Sequence, residues 1–236
     1  MIHSGIYYKP GSLKARFSKA GGAALVEFCR ENGVACEICG KVIVATEPGE
    51  LAQLDKLYER GRENGLAVEK IGPTELKELE PHATGLAAIR VPSAGIVDYV
   101  GVARVFAQIV EERGGEIRMS TKVESISEIG DGVEVGTNRG SYRASKLVNC
   151  AGLYSDRLAE MSGVDPGMEI VPFRGEYYEL VPEKRYLVKN LIYPVPNPNF
   201  PFLGSTSPAR SRAAWRLVRA RSWASPARAT RKPTST

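Results

Sequence analysis

The sequence predicts a mixed α/β fold. Stretches with helical apolar spacing alternate with short β-branched runs, glycine turns separate them, and one Asp-Gly turn joins two runs at hairpin spacing. Ser12 to Asn32 reads as the first helix: Ser12 can cap it, Leu13, Phe17, Ala24, Leu25 and Phe28 recur near helical spacing, and Asn32-Gly33 offers a left-handed stop. Val34 to Ala45 is β-branched and apolar around a turn at Cys39-Gly40. Pro48 to Asn64 returns to helix, with Leu51, Leu54, Leu57 and Tyr58 on one side, and Thr74 to Leu79 makes a shorter one.

Val97-Asp98-Tyr99 leads into a helix that runs to Arg113 and stops at Gly114-Gly115, with Asp98 as a candidate cap; Glu116 to Met119 then reads as a strand. Val123 to Ile129 and Val133 to Val135 form a hairpin around Gly130-Asp131-Gly132, because Asp-Gly tolerates the positive φ angles of a tight turn. Lys146 to Cys150 is the next expected strand. It opens into Ala151-Gly152, after which Ser155 or Asp156 can cap a helix through Met161. Small residues let a ligand approach the backbone, and free N–H groups at a helix start attract negative charge, so this turn suits a nucleotide phosphate; the same turn also serves simply to pack a helix on a sheet. Glu169 to Leu180 alternates as a long strand, and Tyr193-Pro194-Val195-Pro196 through Gly204 reads as an extended, proline-stiffened segment.

A chain of 236 residues, 43% hydrophobic and 25% charged, can bury the core of one large domain or two small ones. No apolar run approaches the roughly 20 residues of a membrane span, and Met1-Ile2-His3-Ser4 opens no basic-then-apolar signal, so a cytoplasmic location is expected. Of Cys29, Cys36, Cys39 and Cys150, only Cys36-Glu37-Ile38-Cys39 has metal-like spacing. It lacks a second ligand pair, and neither His3 nor His82 is placed to supply one, so no metal site is expected. His82, Glu78 and Glu80 read as structural or solvated.

The net charge of +5 is concentrated at one end. Residues 205–236 hold eight basic side chains and no acidic one, which leaves 24 basic against 27 acidic before them. Arginines interleaved with Trp215 and Trp223 could contact phosphates and stack on bases, but the composition reads more simply as a disordered basic tail without a specific nucleic-acid partner.

Several blocks resemble the L-2-hydroxyglutarate oxidase/dehydrogenase family, within the FAD-dependent group that includes D-amino-acid oxidase. They are Ile2 to Pro10 (Ile-His-Ser-Gly-Ile-Tyr-Tyr-Lys-Pro), Gly40 to Ala45, Gly95 to Tyr99, Cys150 to Asp156, Val171 to Gly175 and Ile192 to Gly204. The resemblance implies an incomplete FAD-binding, Rossmann-like domain interleaved with a mixed-sheet substrate domain over residues 1–204. The family's Gly-x-Gly-x-x-Gly unit is not in this sequence, since Gly130-Asp131-Gly132 reads as a hairpin turn. The family continues after Phe-Pro-Phe-Leu-Gly with Val-His-Phe-Thr. Codons for Ser205-Thr206-Ser207-Pro208, read one base out of register, can encode that run, so the chain reads as an internal fragment with a frameshifted tail.

The resemblance also assigns roles. Oxidising a 2-hydroxy acid needs a base for the hydroxyl proton while the C2 hydrogen leaves as hydride, and His3 is the catalytic candidate. Arg174, Tyr8, Lys9 and Tyr193 are candidates for substrate carboxylates, Arg174 first for its two-pronged geometry. Val123, Cys150, Ala151, Gly152 and Ser4 are candidates for FAD. The implied reaction takes L-2-hydroxyglutarate to 2-oxoglutarate with oxygen or a quinone as electron acceptor, and a quinone would bring the full-length parent to the inner membrane face. The alternatives are a non-catalytic remnant of such an enzyme and a related FAD-dependent amine, glycine or glycerol 3-phosphate oxidase.

Overall fold

The computed structural model describes residues 1–172, 176–178, 180–196, 205–206 and 217–219. Along the chain run α1 (Leu13–Glu31), β1 (Cys36–Glu37), β2 (Lys41–Ala45), α2 (Leu51–Glu63, preceded by a 3-10 turn at Pro48–Glu50), β3 (Glu69–Ile71), α3 (Pro73–Leu79), β4 (Ala87–Val91), β5 (Ile96–Val97) and α4 (Tyr99–Glu112). There follow β6 (Val123–Ile129), β7 (Gly132–Thr137), β8 (Gly140–Ala144), α5 (Ser155–Met161), β9 (Glu176–Tyr178), β10 (Leu191–Pro194), β11 (Ser205–Thr206) and β12 (Leu217–Arg219). The described residues fall into two compact units, one formed by Met1–Gln108 with the described part of Gly175–Ser222, the other by the described part of Ile109–Arg174.

The first unit is built on a four-stranded mixed sheet in the order β10-β2-β4-β3, with β10 parallel to β2 and the other neighbours antiparallel. Residues two apart on a strand share a face. On one face Ile43 and Ala45 of β2 join Ile89 and Val91 of β4, and Leu54 and Leu57 of α2, Ile6 and Val195 close over them. On the other, Val42 and Val44 pack with Ala88, Ile71 and Leu76 of α3. Every position of β2 is therefore buried, and each fully buried Ile or Leu contributes about 1.5–3 kcal/mol. The loop entering β10 is tied down by Glu80, whose fully buried carboxylate accepts from the backbone N–H groups of Lys189 (3.0 Å) and Asn190. Glu80 is structural, and so is His82, whose ring meets that of Tyr186 edge-on at 5.4 Å.

The expected α1 holds: the Ser12 hydroxyl accepts from Ala15 N–H at 3.3 Å, and Gly33 takes the left-handed φ of +65° beyond Asn32. Its apolar stripe, however, does not face a core, since Leu13 and Phe17 are 60% and 66% exposed and only Ala15 and Cys29 are buried. Asp98 caps α4 as expected, accepting from Val100 N–H at 3.1 Å. The residues around Cys39-Gly40 do not form a hairpin, because β1 pairs with β5 while β2 pairs with β4 and β10.

In the second unit β6, β7 and β8 form an antiparallel meander, with Gly130 at φ +50° in the expected turn. Two expected strands are not assigned. Glu116–Met119 and Lys146–Cys150 have no ladder partner among the described residues, and Met119 and Val148 are exposed; apolar content alone does not make a strand without a neighbour to take its hydrogen bonds. Ser155 and Asp156 open α5 without capping it. The buried Asp156 carboxylate instead reaches back to Ile170 N–H at 3.0 Å.

The long strand expected from Glu169 to Leu180 is limited to β9; residues 169–172 are not strand, and 173–175 and 179 lie outside the described residues. The extended segment after Pro196, to Gly204, also lies outside them. Within the stretch expected to be a tail without structure, β11 and β12 pair with each other and β12 with β9; ladder hydrogen bonds come from the backbone and ask little of side-chain identity. The remainder of 205–236 is not described.

Candidate functional site

The segment from Ile2 to Tyr8 has no regular structure of its own, and its backbone is fixed from three separate places. Ile2 exchanges hydrogen bonds with Gly95 (2.7 and 3.1 Å). The Ser18 hydroxyl of α1 donates to His3 C=O at 3.3 Å, and from α2 Asn64 donates to Gly5 C=O and Tyr8 C=O while Arg60 donates to Tyr7 C=O. Gly5 makes the turn possible: its φ is +87°, and an added Cβ would meet Ser18 Cβ at 3.2 Å. A His-Ser-Gly-Ile-Tyr-Tyr run is thus held on one side by the first helix and on the other by the second.

His3 lies on the wall of two clefts. One, of about 480 Å³, is lined also by Met1, Tyr8, Lys14, Phe17 and Tyr99. The other, of about 520 Å³, is lined also by Ser4, Lys19, Val26, Leu66 and Ser93. His3 keeps an exposed edge, yet its partial burial and then the positive charge of Lys41 push its pKa below the usual 6.5. The imidazole is therefore neutral at pH 7 and has a lone pair available to accept a proton. The Ser4 hydroxyl beside it is buried and has no hydrogen-bond partner among the described residues.

Lys41 is the site residue that sequence reasoning missed. It opens β2 on the face shared by Ile43 and Ala45 and is only 4% exposed. Its Nζ lies 4.6 Å from the ring centroid of Tyr7 and 5.1 Å from that of Tyr193, and no carboxylate among the described residues forms an ion pair with it. Burial pushes the ammonium down to about 8 from 10.5. Burial, and then the neighbouring Tyr193, raise the Tyr7 phenol above its ordinary value, so its hydroxyl stays protonated. The Tyr193 hydroxyl meets Met1 Sδ at 2.7 Å. The available signal was a charge at the head of an otherwise apolar strand, Lys-Val-Ile-Val-Ala.

The structure brings His3, Ser4 and Tyr8 to the clefts and Tyr193 to Lys41. Lys9 does not join them: it sits exposed on the turn into α1, where its C=O accepts from the Ser12 hydroxyl at 2.6 Å. Proximity in sequence to Tyr8 does not carry over, because the turn directs successive residues differently. Arg174 lies outside the described residues. Val123, Cys150, Ala151 and Gly152 belong to the second unit. There Val123 opens β6 half-buried, Cys150 is exposed, and Ala151 N–H is taken by the Asn149 side chain at 3.2 Å. Gly152 has φ +57°, with nothing within 4 Å of the position a Cβ would take, so its backbone is open to a ligand.

Residues 1–214 match the family described as FAD dependent oxidoreductase (DAO). The chain is 47% identical over 205 residues to an L-2-hydroxyglutarate dehydrogenase of Escherichia coli K12, covering 86% of this chain and 49% of that one. It is also 47% identical over 217 residues to the mitochondrial L-2-hydroxyglutarate dehydrogenase of Homo sapiens, covering 86% and 47%. The chain thus spans about half the length of the curated relatives it matches. Among solved structures it resembles L-alpha-glycerophosphate oxidase from Mycoplasma pneumoniae, with a TM-score of 0.80 at 21% identity over 93% of this chain and 59% of that one. A glycine oxidase from Bacillus cereus gives 0.73 at 21% identity, covering 90% and 57%. At that identity these two likenesses speak for the fold alone.

Proposed function

Because the chain belongs to the FAD-dependent oxidoreductase (DAO) family, we propose that it carries the substrate-side chemistry of an enzyme oxidising L-2-hydroxyglutarate to 2-oxoglutarate. The observation that carries the reading is a histidine kept neutral on a cleft wall, near a buried ammonium without a carboxylate partner. Identity to the L-2-hydroxyglutarate dehydrogenases supports this substrate over the amines and glycerol phosphates of more distant relatives.

The residues present fit a flavin nucleotide in two places. The orphaned Ser4 hydroxyl beside the His3 cleft needs a polar partner, which the rim of a flavin ring provides. In the second unit the uncrowded backbone of Gly152 offers a main-chain contact to a nucleotide. When bound, FAD supplies the two-electron acceptor for the hydrogen on C2.

The chain's own part is proton handling and anion recognition. The neutral His3 imidazole accepts the C2 hydroxyl proton, and the nearby ammonium, which disfavours a second positive charge, helps pass that proton on to solvent. Tyr8, on the same cleft, offers a hydroxyl to the substrate. Oxygen or a membrane quinone completes the turnover as electron acceptor. Among the described residues no helix is long and apolar enough to cross a membrane. We place the protein in the cytoplasm; relatives bearing the word mitochondrial mean that the compartment does not follow from the family.

The test is the flavin spectrum of the purified chain with added FAD, followed anaerobically on addition of L-2-hydroxyglutarate. Bleaching of the bound flavin is expected. A chain that stays colourless, or a bound flavin that the substrate leaves oxidised, would overturn the proposal for this chain and leave a non-catalytic remnant.

A further inference from the structure

A lysine buried to 4% exposure in the middle strand of a sheet is costly unless something neutralises it, and proteins usually resolve this with a carboxylate. Lys41 has none among the described residues. Its surroundings are two aromatic faces, at 4.6 and 5.1 Å from Nζ. Cation-π contacts offset part of the cost but leave the three ammonium N–H donors without an anionic acceptor. The position is also rigid. Lys41 is paired in register with Leu191 on one side and Val91 on the other, inside a strand whose five residues are all buried. A flexible surface lysine would turn to water; this one is held where water is scarce and where its charge reaches His3.

We propose that Lys41, flanked by the Tyr7 and Tyr193 rings, is the seat for one carboxylate of an acyclic dicarboxylate substrate. The proposal rests on the 2-hydroxy-acid reading given above and adds the residue that selects for a second acid group. A carboxylate matches the single positive charge and can accept from both the ammonium and a phenol. Among the described residues the rings beside the ammonium are those of Tyr7 and Tyr193, and its charge reaches the His3 imidazole. None of them carries a negative charge near neutral pH, so the incoming anion meets no repulsion there.

The test measures binding of glutarate, a five-carbon dicarboxylate, and of butyrate, its monocarboxylate counterpart, to the whole chain and to Lys41→Met and Lys41→Arg by calorimetry. A charge-assisted contact predicts roughly 10–100-fold weaker glutarate binding in Lys41→Met, partial rescue in Lys41→Arg and little change for butyrate. Glutarate affinity of the unaltered chain should also fall as pH rises past the lysine's titration. A second measurement needs no variant: the Cε resonance of Lys41, followed against pH in carbon-13 labelled protein, should titrate at higher pH when glutarate is present.

Equal glutarate affinity in Lys41→Met, an unshifted Lys41 titration, or no measurable glutarate binding by the unaltered chain would each overturn the proposal. So would sulfate competing as well as glutarate, since that would mark a general anion site. Flavin reduction by L-2-hydroxyglutarate would survive any of these results, so failure of the Lys41 assignment is distinguishable from failure of the reaction assignment.

Discussion

Replacing Lys41 by methionine keeps an unbranched side chain of similar length and removes one buried charge, so it isolates the cost of holding that charge inside. Burial lowers the ammonium from 10.5 to about 8, and at 1.36 kcal/mol per pH unit this is worth roughly 3 kcal/mol of folding free energy at neutral pH. The two ring contacts return about 0.5–1 kcal/mol each. The charge still loses, and Lys41→Met is expected to stabilise the chain by about 1–2 kcal/mol at pH 7. The sign also fixes the pH dependence. Folded Lys41 gives up its proton near pH 8 and unfolded Lys41 near 10.5, so the unfolded state binds more protons between them and stability rises with pH across that window. Cys39, raised by burial to about 11, and Tyr7, raised above its ordinary value, act the other way, because the folded chain keeps their protons longer. Both are present in either protein and cancel in the difference. Urea denaturation followed by circular dichroism at pH 7, 8.5 and 10 should show the variant more stable at pH 7 and the gap closing by pH 10. A variant that is less stable at pH 7, or a gap indifferent to pH, would refute the reasoning.

Three further outcomes follow from the same geometry. His3→Asn in the flavin-loaded chain should slow flavin reduction by roughly 10²–10⁴-fold. In the unaltered protein the rate should fall only as pH drops below the His3 pKa, which lies under 6.5, so a pH-rate profile with its acid limb at or above 6.5 would count against His3 as the base. Glu80→Ala leaves the Lys189 and Asn190 N–H groups without their buried acceptor and should cost about 2–4 kcal/mol, read as a lower urea midpoint; an unchanged midpoint would mean that water replaces the carboxylate. Gly95→Ala would place a Cβ 2.4 Å from Glu37 C=O and 2.9 Å from Ile38 Cδ1, so it should cost about 1–3 kcal/mol and, by loosening the Ile2 bridge, weaken substrate binding as well.

Local signals in the sequence were readable, and those that depend on partners were not. Ser12, Asn32-Gly33, Asp98 and Gly130-Asp131-Gly132 set caps and turns through local chemistry, and α1, α4 and the β6–β7 hairpin follow from them. The strands β3, β4 and β8 went unread because Ala-Ala-Ile-Arg-Val and Gly-Ser-Tyr-Arg-Ala have little intrinsic strand preference; β4 becomes a strand by lying between β2 and β3. The reverse error came at Lys146–Cys150, where apolar residues suggested a strand that finds no partner among the described residues. In the site, a lone histidine two residues from the first position carried no signal without the family resemblance. Lys41 carried only the signal of a charge at the head of an apolar run, which does not tell its burial, because the burial of a lysine is a property of the sheet around it and not of its own residue type.

The placement of Lys41 shows how the fold supports its chemistry. A cation that must meet a small anion with fixed geometry is better carried by a central strand than by a loop, since the ladder on both sides fixes its Cα and the neighbouring rings restrict its rotamers. The same location makes the charge expensive, and β2 compensates within its own length. Ile43 and Ala45 continue the Lys41 face into one core, while Val42 and Val44 point into the other; each buried Val or Ile returns about as much as half or more of what the ammonium loses. One strand therefore anchors the sheet and holds the site. That coupling explains why the run reads Lys-Val-Ile-Val-Ala: four consecutive core residues are needed to keep in place a fifth that, on stability alone, would be replaced.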